Sequence, residues 1–475
     1  MLPTIATGNV ASALVGEYDV ANSCRFDRGS SSKLSKSISS SGNRKTWTWS
    51  AWIKRGNLPA ATGDLFGTPY TSLAKGSLYF DTSERLYYSQ YEGGGASNNV
   101  GIRTNRVFRD TSAWYHICLI WDTTDSTADD RIRLYINGTR ETDLGINTNP
   151  SLNLDGVINN SSHDLLVAGD SSYASLFFDG YMCEVVFIDG QALLPDNFGE
   201  FDSDSPNIWK PKDVSDLTFG TNGFYLDFED SSNLGNDAYG GTDFTESNLA
   251  ATDQSTDTCT NNGCTLVNAS SASATYTLSE GNLKVEKSAS NWYGSPRGNM
   301  GVRNGKWYYE CKVVNKANGF MIGYMSASNL ADVGDRATNN FPKLNGFQAS
   351  GYIKRQDNTE VNISSSFTWA NGDIAQIALD MDNKKLWIGK NGSYYNSGDP
   401  ASGSNETIGS SYFDSNEDYL PVITMYGTNE GQFNFGSPPY SISSGNADAN
   451  GHGNFEYAVP SGYFALNTKN LAEFG

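Results

Sequence analysis

Acidic side chains that could form catalytic pairs occur at two places in the sequence. Asp227 and Glu229 are separated by one residue, and so are Glu200 and Asp202. In an extended strand such a pair lies on one face, and two neighbouring carboxyl groups are the requirement of glycoside hydrolysis. Neither pair has a third acid at the spacing of a catalytic strand. We therefore interpret both pairs as solvated strand edges and expect no enzymatic activity.

Nucleophilic chemistry has little support in the sequence. The three histidines, His116, His163 and His452, are far apart, and no G-x-S-x-G motif is present. Both features argue against a serine triad. His116 lies within an apolar segment, so we expect it to pack inside a strand rather than act as a base.

Only two of the six cysteines, Cys259 and Cys264, are close in sequence. A single C-x4-C pair lacks the second ligand pair of a zinc site. We expect free thiols, and a loop disulfide between these two cysteines formed after release from the cell stays open as the alternative.

Four aspartates crowd one loop, and they are the only metal candidates that we identify: Asp122, Asp125, Asp129 and Asp130. Their spacing lacks the D-x-D-x-D-G pattern of a loop-type calcium site. Charge repulsion at the tip of a hairpin is the interpretation that we favour, with a weak calcium site as the alternative. No cofactor is expected, and no motif supports calcium.

Aromatic clusters next to turns are the candidates for ligand contact. Glycan sites usually combine an aromatic platform with polar groups on loops, whereas most aromatic residues are buried. Internal packing is therefore the alternative for each cluster. The candidates are Tyr87, Tyr88 and Tyr91, which precede the loop at 93–95, together with Trp292, Tyr293, Tyr394 and Tyr395.

Composition limits the partners that the chain can have. The formal net charge of −20 disfavours nucleic acid and anionic membranes, because both attract basic proteins. The first residues carry no basic group and no apolar run of signal-peptide length, and no stretch is apolar enough to span a membrane. We expect synthesis in the cytoplasm without a signal peptide, and no membrane insertion.

Short alternating segments predict an all-β protein. The segment 46–53 alternates aromatic and small residues, and 131–136 alternates cleanly before the turn dipeptide Asn137-Gly138. We predict two β-sandwich, jelly-roll-like domains joined by an ordered connector. The predicted boundaries are an arm at 1–19, a first sandwich at 20–206, a connector at 207–264, a second sandwich at 265–437 and a tail at 438–475.

The first sandwich resembles the laminin G-like, concanavalin A-type domain. The resemblance rests on Trp114-Tyr-His116, on Leu134-Tyr-Ile-Asn-Gly138 and on the strand that starts at Phe178. That fold includes glucanases, whose retaining members share an E-x-D-x-x-E strand. This motif is absent here. The resemblance therefore implies a binding scaffold.

The second sandwich resembles a SPRY domain. Gly305-Lys-Trp-Tyr-Tyr-Glu310, the hairpin at 377–392 and Phe433-Asn-Phe-Gly436 occur in the order that this family shows. The resemblance covers roughly 275–436.

Further segments are similar to tail-fibre-like and other structural proteins of bacteriophages. They are 43–49, 189–193, 222–228 and 460–471. This resemblance implies a non-enzymatic virion protein that binds a host surface glycan or protein. It also implies other virion proteins as partners and several copies in the particle, as a homo-oligomer or otherwise. A capsid decoration or head-fibre protein is the alternative, and a glycan-degrading enzyme is a distant third.

Overall fold

A computed structural model describes residues 18–58, 62–71, 74–93, 100–170, 176–268, 276–292, 294–317, 319–329 and 344–475. The chain divides into two compact units. The N-terminal unit is Leu14–Thr260, and the C-terminal unit includes Asn261–Gly475. Each unit contains two large antiparallel sheets, so the predicted all-β class with two sandwiches is confirmed. Most of the predicted arm at 1–19 lies outside the described residues.

The first sheet of the N-terminal unit has the order β10-β9-β8-β3-β13-β1-β18, and β16 pairs with β13. Its strands are β1 (Ser23–Phe26), β3 (Thr46–Arg55), β8 (Trp114–Asp122), β9 (Ile132–Ile136), β10 (Thr139–Arg140), β13 (Gly180–Asp189), β16 (Phe224–Leu226) and β18 (Gln254–Ser255). The predicted Asn137-Gly138 turn joins β9 to β10, and both residues have positive φ, which suits an Asn-Gly pair.

The second sheet has the order β11-β7-β6-β5-β4-β12-β2-β17. Its strands are β2 (Lys33–Lys36), β4 (Gly63–Gly67), β5 (Ala74–Phe80), β6 (Arg85–Glu92), β7 (Val100–Val107), β11 (Leu144–Thr148), β12 (Leu165–Val167) and β17 (Thr245–Ser247). A small separate sheet contains β14 (Gly199–Phe201) and β15 (Trp209–Pro211).

The core of the N-terminal unit lies between its two sheets. Trp49 of β3 stacks on Phe66 of β4 with ring centroids 5.7 Å apart, and Trp47 meets Tyr88 of β6 at 6.0 Å. All four side chains are buried. Alternate residues of β3 and β6 supply this core, and the intervening residues lie on the opposite face of each sheet.

Residues 207–260, which lie within the predicted connector, form part of the N-terminal unit. β16 and β18 extend the first sheet, and β17 pairs with β2 in the second sheet. Phe224 contacts Phe66 with ring centroids 6.2 Å apart and Phe244 at 4.7 Å. Phe224 and Phe244 of this segment are therefore buried in the sandwich that precedes it in the chain.

The C-terminal unit repeats the two-sheet plan. One sheet contains β19 (Leu266–Val267), β22 (Arg297–Gly298), β31 (Tyr419–Tyr426), β24 (Gly319–Ser326), β25 (Leu344–Gln348), β26 (Tyr352–Lys354) and β27 (Glu360–Asn362), in this order. The other contains β20 (Tyr276–Ser279), β21 (Lys284–Lys287), β32 (Asn429–Asn434), β23 (Lys306–Asn315), β28 (Ile374–Asp380), β29 (Lys385–Lys390) and β30 (Ser393–Tyr394). Tyr309 of β23 meets Tyr324 of β24 at 5.5 Å between the sheets.

The segment predicted as a tail, 438–475, packs on the C-terminal unit. It contains β33 (Phe464–Ala465), which pairs in parallel with β23, and helix α1 (Thr468–Phe474). The buried carboxylate of Glu310 in β23 accepts hydrogen bonds from the backbone N–H groups of Glu456 (3.0 Å) and Tyr457 (2.8 Å). These bonds attach the segment to the sheet.

Short 3-10 helices also occur among the residues that the structure describes. They are Ala128–Asp130, Pro195–Asn197, Ala251–Asp253, Ala327–Asn329, Tyr395–Ser397 and Ser410–Tyr412. Within the described parts of the chain, no helix has the length and apolar character needed to cross a membrane.

Candidate binding face

The outer face of β5 and β6 carries a cluster of partly exposed tyrosines. Leu78, Phe80 and Leu86 point into the core, so residues of the opposite parity face outward. The antiparallel register places Tyr79 opposite Tyr87, and their ring centroids lie 5.2 Å apart. This register follows from the short turn at 81–84, which joins the two strands.

Two cations lie against these rings. The Lys75 Nζ is 4.5 Å from the Tyr79 ring centroid and 5.7 Å from that of Tyr70. The Arg103 guanidinium of β7 lies 5.8 Å from the Tyr87 centroid, because β7 pairs with β6 at this position. Such contacts fix the cations and orient the rings.

The cluster continues beyond the hairpin. Tyr91 pairs with Lys75 across β5 and β6, and its ring meets Tyr70 edge-on at 6.1 Å. The Tyr91 hydroxyl donates to the Thr71 carbonyl at 2.6 Å. We call this surface the tyrosine face and define it as Tyr70, Lys75, Tyr79, Tyr87, Tyr91 and Arg103.

Polar groups lie beside the rings. Ser89, opposite Ser77, donates its hydroxyl to the Tyr79 oxygen at 3.4 Å. The Asp64 carboxyl on β4 is buried next to this surface, and burial raises its pKa to about 6 against the opposing effect of Lys75. The face thus combines aromatic rings, hydroxyl groups and cations on a rigid sheet.

Sequence reasoning identified two members of this face, Tyr87 and Tyr91, and missed Tyr70, Tyr79, Lys75 and Arg103. The alternation of side chains along β5 could have identified Lys75 and Tyr79. Lys75, Ser77 and Tyr79 alternate with apolar residues, so a hairpin register would have placed Tyr79 beside Tyr87.

Tyr88 does not belong to the face, and its prediction as a ligand contact is wrong. It is fully buried, and its ring packs against Trp47 and Trp121 at 6.0 Å each. Its hydroxyl donates to the Gln90 side chain at 3.1 Å. The reason is the period of two along a strand, which sends adjacent tyrosines to opposite faces.

Three of the four aromatic candidates of the C-terminal unit also pack against other side chains. Trp292 is 2 % exposed and lies against Tyr426 at 5.6 Å, which contradicts its prediction as a ligand contact. Tyr394 packs on the buried cluster that contains Trp387, and Tyr395 meets Phe367 at 5.6 Å. Tyr293 lies outside the described residues.

The four loop aspartates serve separate turns and ion pairs. Asp122 accepts from the Thr124 hydroxyl at 2.6 Å, and Asp125 accepts from the Thr127 N–H at 2.8 Å. Asn149 donates to the Asp129 carboxylate, and Arg140 pairs with Asp130, both at 2.6 Å. Among the residues that the structure describes, no group of three or more His, Cys, Asp or Glu side chains is arranged to hold a metal ion.

The two acid pairs are engaged in local structure. Lys210 Nζ lies 3.6 Å from the Glu200 carboxylate and 3.4 Å from that of Asp202. The Glu229 N–H donates to Asp227 at 3.1 Å, and burial raises the pKa of Asp227.

His116 is enclosed by other side chains. Its Nε2 is 2.8 Å from the Ser50 hydroxyl, and the imidazole lies between Trp52 and Trp209, with ring centroids 5.2 and 5.7 Å away. Burial lowers the pKa of His116 to about 3, so the imidazole is neutral.

A family model of the laminin G type, described as the concanavalin A-like lectin/glucanases superfamily, matches residues 27–197. This part of the chain has the laminin G-like, concanavalin A-like fold. The match contains β4 to β7, and with them the whole tyrosine face. The chain's resemblance to laminin G-like domains is thereby confirmed for the N-terminal unit.

Three solved structures are similar to this chain at low identity. A heptameric SAP-like pentraxin from Limulus polyphemus is 15 % identical with a TM-score of 0.25, over 37 % of this chain and 79 % of that one. The SPRY domain of human HERC1 is 15 % identical with a TM-score of 0.22, over 32 % and 87 %. Domains LG4-5 of the mouse laminin alpha1 chain are 10 % identical with a TM-score of 0.30, over 89 % and 92 %. A search of curated proteins gave no match.

Proposed function

We propose that this chain is a non-enzymatic binding protein whose tyrosine face binds a glycan on a cell surface. The observation that carries the proposal is the Tyr79–Tyr87 pair, with Lys75 and Arg103 against its rings. The C–H faces of a sugar ring pack on aromatic rings, and its hydroxyl groups require hydrogen-bonding partners. Ser89 and Arg103 supply such partners beside the rings, whereas Lys75 is buried and supports the rings of Tyr70 and Tyr79.

The rigidity of the surface supports the same function. The rings of Tyr79 and Tyr87 stand on paired strands, and each of them has a cation against it. A preorganised surface loses little conformational entropy when a ligand binds. The superfamily whose model matches this region is described as containing lectins, in agreement with a glycan ligand.

The absence of catalysis is part of the proposal. Lys210 forms ion pairs with both Glu200 and Asp202, while Asp227 accepts the backbone N–H of Glu229 and so caps a turn. Neither arrangement offers one free acid and one free base on opposite sides of a glycosidic bond. His116 is enclosed by two tryptophan rings, so substrate has no route to it.

The biological setting that we propose is the particle of a bacteriophage, in which several copies serve in tail-fibre-like attachment to the host. This setting rests on the resemblance of segments 43–49, 189–193, 222–228 and 460–471 to phage structural proteins. A glycan-binding sandwich suits such a role, because attachment needs a surface that recognises the host and leaves the ligand intact.

Binding of the purified chain to envelope polysaccharides and lipopolysaccharides from candidate hosts tests the proposal. We expect retention on at least one of them without release of sugars. Tyr79→Ala should weaken this binding about tenfold, a loss of about 1.4 kcal/mol. Tyr239→Ala is the matched control, since Tyr239 is an exposed tyrosine of the same unit outside the tyrosine face.

Two results would contradict the proposal. Sugar release that is lost on substitution of Asp227 would show an enzyme. If the chain binds no polysaccharide and no host cell, yet restores the heat stability of particles that lack it, it would be a decoration protein.

A further inference from the structure

Two cysteines that are distant in sequence have their sulfur atoms in contact. The Sγ atoms of Cys183 and Cys259 lie 3.8 Å apart, although 76 positions separate the residues. Cys183 is fully buried in β13, whereas Cys259 follows β18 and is partly exposed. Both are free thiols in this structure.

The surrounding contacts hold both sulfur atoms in place. Cys183 lies opposite Trp52, in the middle of the first sheet. On the other side, the Asp257 carboxylate accepts hydrogen bonds from Lys54 Nζ at 2.6 Å and from Trp114 Nε1 at 3.0 Å. These bonds fix the chain two residues before Cys259.

A second attachment follows Cys259 directly. The Thr260 hydroxyl accepts from the Val20 N–H at 3.1 Å and donates to the Asp19 carboxylate at 2.7 Å. Cys259 is therefore fixed on both sides, and the two thiols meet at a high effective concentration.

We propose that Cys183 and Cys259 form an oxidisable pair, which closes to a disulfide when the chain meets a small-molecule disulfide outside a reducing cytoplasm. In the reaction the Cys259 thiolate attacks the small disulfide and releases one thiol. Cys183 then loses its proton and attacks the mixed disulfide, so the protein S–S bond forms and a second thiol leaves. The protein loses two protons and two electrons, and one small disulfide becomes two thiols.

The bond attaches the end of the N-terminal unit to β13, in the middle of the first sheet. Closing the sulfur separation to about 2.0 Å requires side-chain rotation. The new bond closes a long loop, which reduces the entropy of the unfolded chain and stabilises the folded unit. Burial raises the pKa of Cys259, so thiolate is scarce at neutral pH and the reaction is slow.

Peptide mass mapping of the full chain under non-reducing conditions tests the inference. After incubation with oxidised glutathione, we expect one cross-linked peptide that contains Cys183 and Cys259, with the mass of two hydrogen atoms lost. Reductant should remove it. The midpoint of thermal unfolding of the N-terminal unit should be higher in the oxidised chain than in the reduced chain.

Cys183→Ala and Cys259→Ala should each abolish both the cross-link and the shift in melting temperature. Cys118→Ala is the matched control, since Cys118 is a buried cysteine on β8 of the same unit, and this variant should retain both. If a variant does not fold, the peptide map of the wild-type chain still shows whether the cross-link forms. A cross-link between Cys259 and Cys264, or a glutathione adduct on Cys259 that never resolves, would overturn the proposal.

Discussion

Tyr87 and Tyr88 are neighbours in β6 with opposite surroundings. Tyr87 lies on the outer face beside Tyr79, whereas Tyr88 is fully buried among Trp47 and Trp121. Residue type and nearness to a glycine-rich loop predict both as ligand contacts. Residue type could not separate them, because the assignment depends on which face of the strand meets the core.

Alanine at these two positions should therefore have different effects. Tyr88→Ala leaves a cavity between the sheets and should lower the free energy of unfolding by about 3 to 5 kcal/mol. Tyr87→Ala should cost less than about 1 kcal/mol, because its ring is partly exposed. Urea unfolding of both variants checks this, and equal losses would show that the sheet faces are assigned wrongly.

Glu184 is a buried carboxyl group, and no ion pair with it is found within the described part of the chain. The hydroxyl groups of Tyr18 (3.0 Å) and Tyr225 (2.8 Å) donate to it, while Asp227 and Glu229 add negative charge nearby. Burial is the main cause that raises the pKa of Glu184 from 4.5 to about 7. Its φ of +52° at an irregular position of β13 places the side chain there.

This raised pKa makes the stability of the N-terminal unit depend on pH. Between 4.5 and about 7 the folded chain holds a proton that the unfolded chain has released. The stability that depends on protonated Glu184 is thus fully present below pH 4.5, and it is lost as the pH rises through about 7. Glu184→Gln keeps the shape without the charge. Relative to this variant, the wild type should lose about 2 to 3 kcal/mol between pH 4.5 and 8.

Denaturant unfolding of both proteins at several pH values measures this difference. Asp179, whose pKa burial also raises to about 7, is present in both proteins and cancels in the comparison. Parallel stability curves for the wild type and Glu184→Gln would contradict the assignment.

At the scale of elements, strands with a clear alternation could be predicted, whereas β17 and β18 could not. Alternation in 46–53 and 131–136 indicates β3 and β9, because the pattern lies within the sequence of each strand. β17 and β18 have three and two residues, too few to show a period. Their positions depend on pairing with β2 and β1, more than 200 residues earlier in the chain.

The same limit applies to the tyrosine face. Tyr87 and Tyr91 could be identified from the local sequence, but Arg103 joins them only through the pairing of β7 with β6. Tyr70 joins from a loop, by contact with Tyr91 and Lys75. Local patterns thus predict the strands of a site more readily than the set of side chains that meet on it.

Residues 207–260 should be required for the N-terminal unit to fold. They supply the buried side chains of Phe224, Leu226 and Phe244, and also Asp257, which binds Lys54. Without them the buried Lys54 charge would lose Asp257 as its partner. The apolar side chains on one side of the core would also be exposed to water. A fragment of residues 1–260 should unfold cooperatively, whereas 1–206 should aggregate or lack near-UV circular dichroism. A cooperative transition in 1–206 would show that this segment is only a connector.

For the whole molecule, the net charge of −20 constrains how it can adhere. Bacterial surfaces are also anionic, so long-range electrostatics would repel the chain over about 8 Å at physiological ionic strength. Attachment must then depend on short-range contacts, and the tyrosine face offers them as partly exposed aromatic rings with Arg103 beside them. Added salt should accordingly leave the affinity unchanged or raise it.

The most direct test is calorimetric titration of the full chain with the polysaccharide that retains it. The wild type would be compared with Tyr79→Ala, Tyr87→Ala, the double variant and the Tyr239→Ala control. We predict that each single substitution on the face weakens binding about tenfold, while Tyr239→Ala binds like the wild type. The loss of binding free energy in the double variant should be smaller than the sum of the two single losses, because the rings contact each other. Unchanged affinity in the double variant, with its fold intact, would contradict the assignment of the tyrosine face as the binding site.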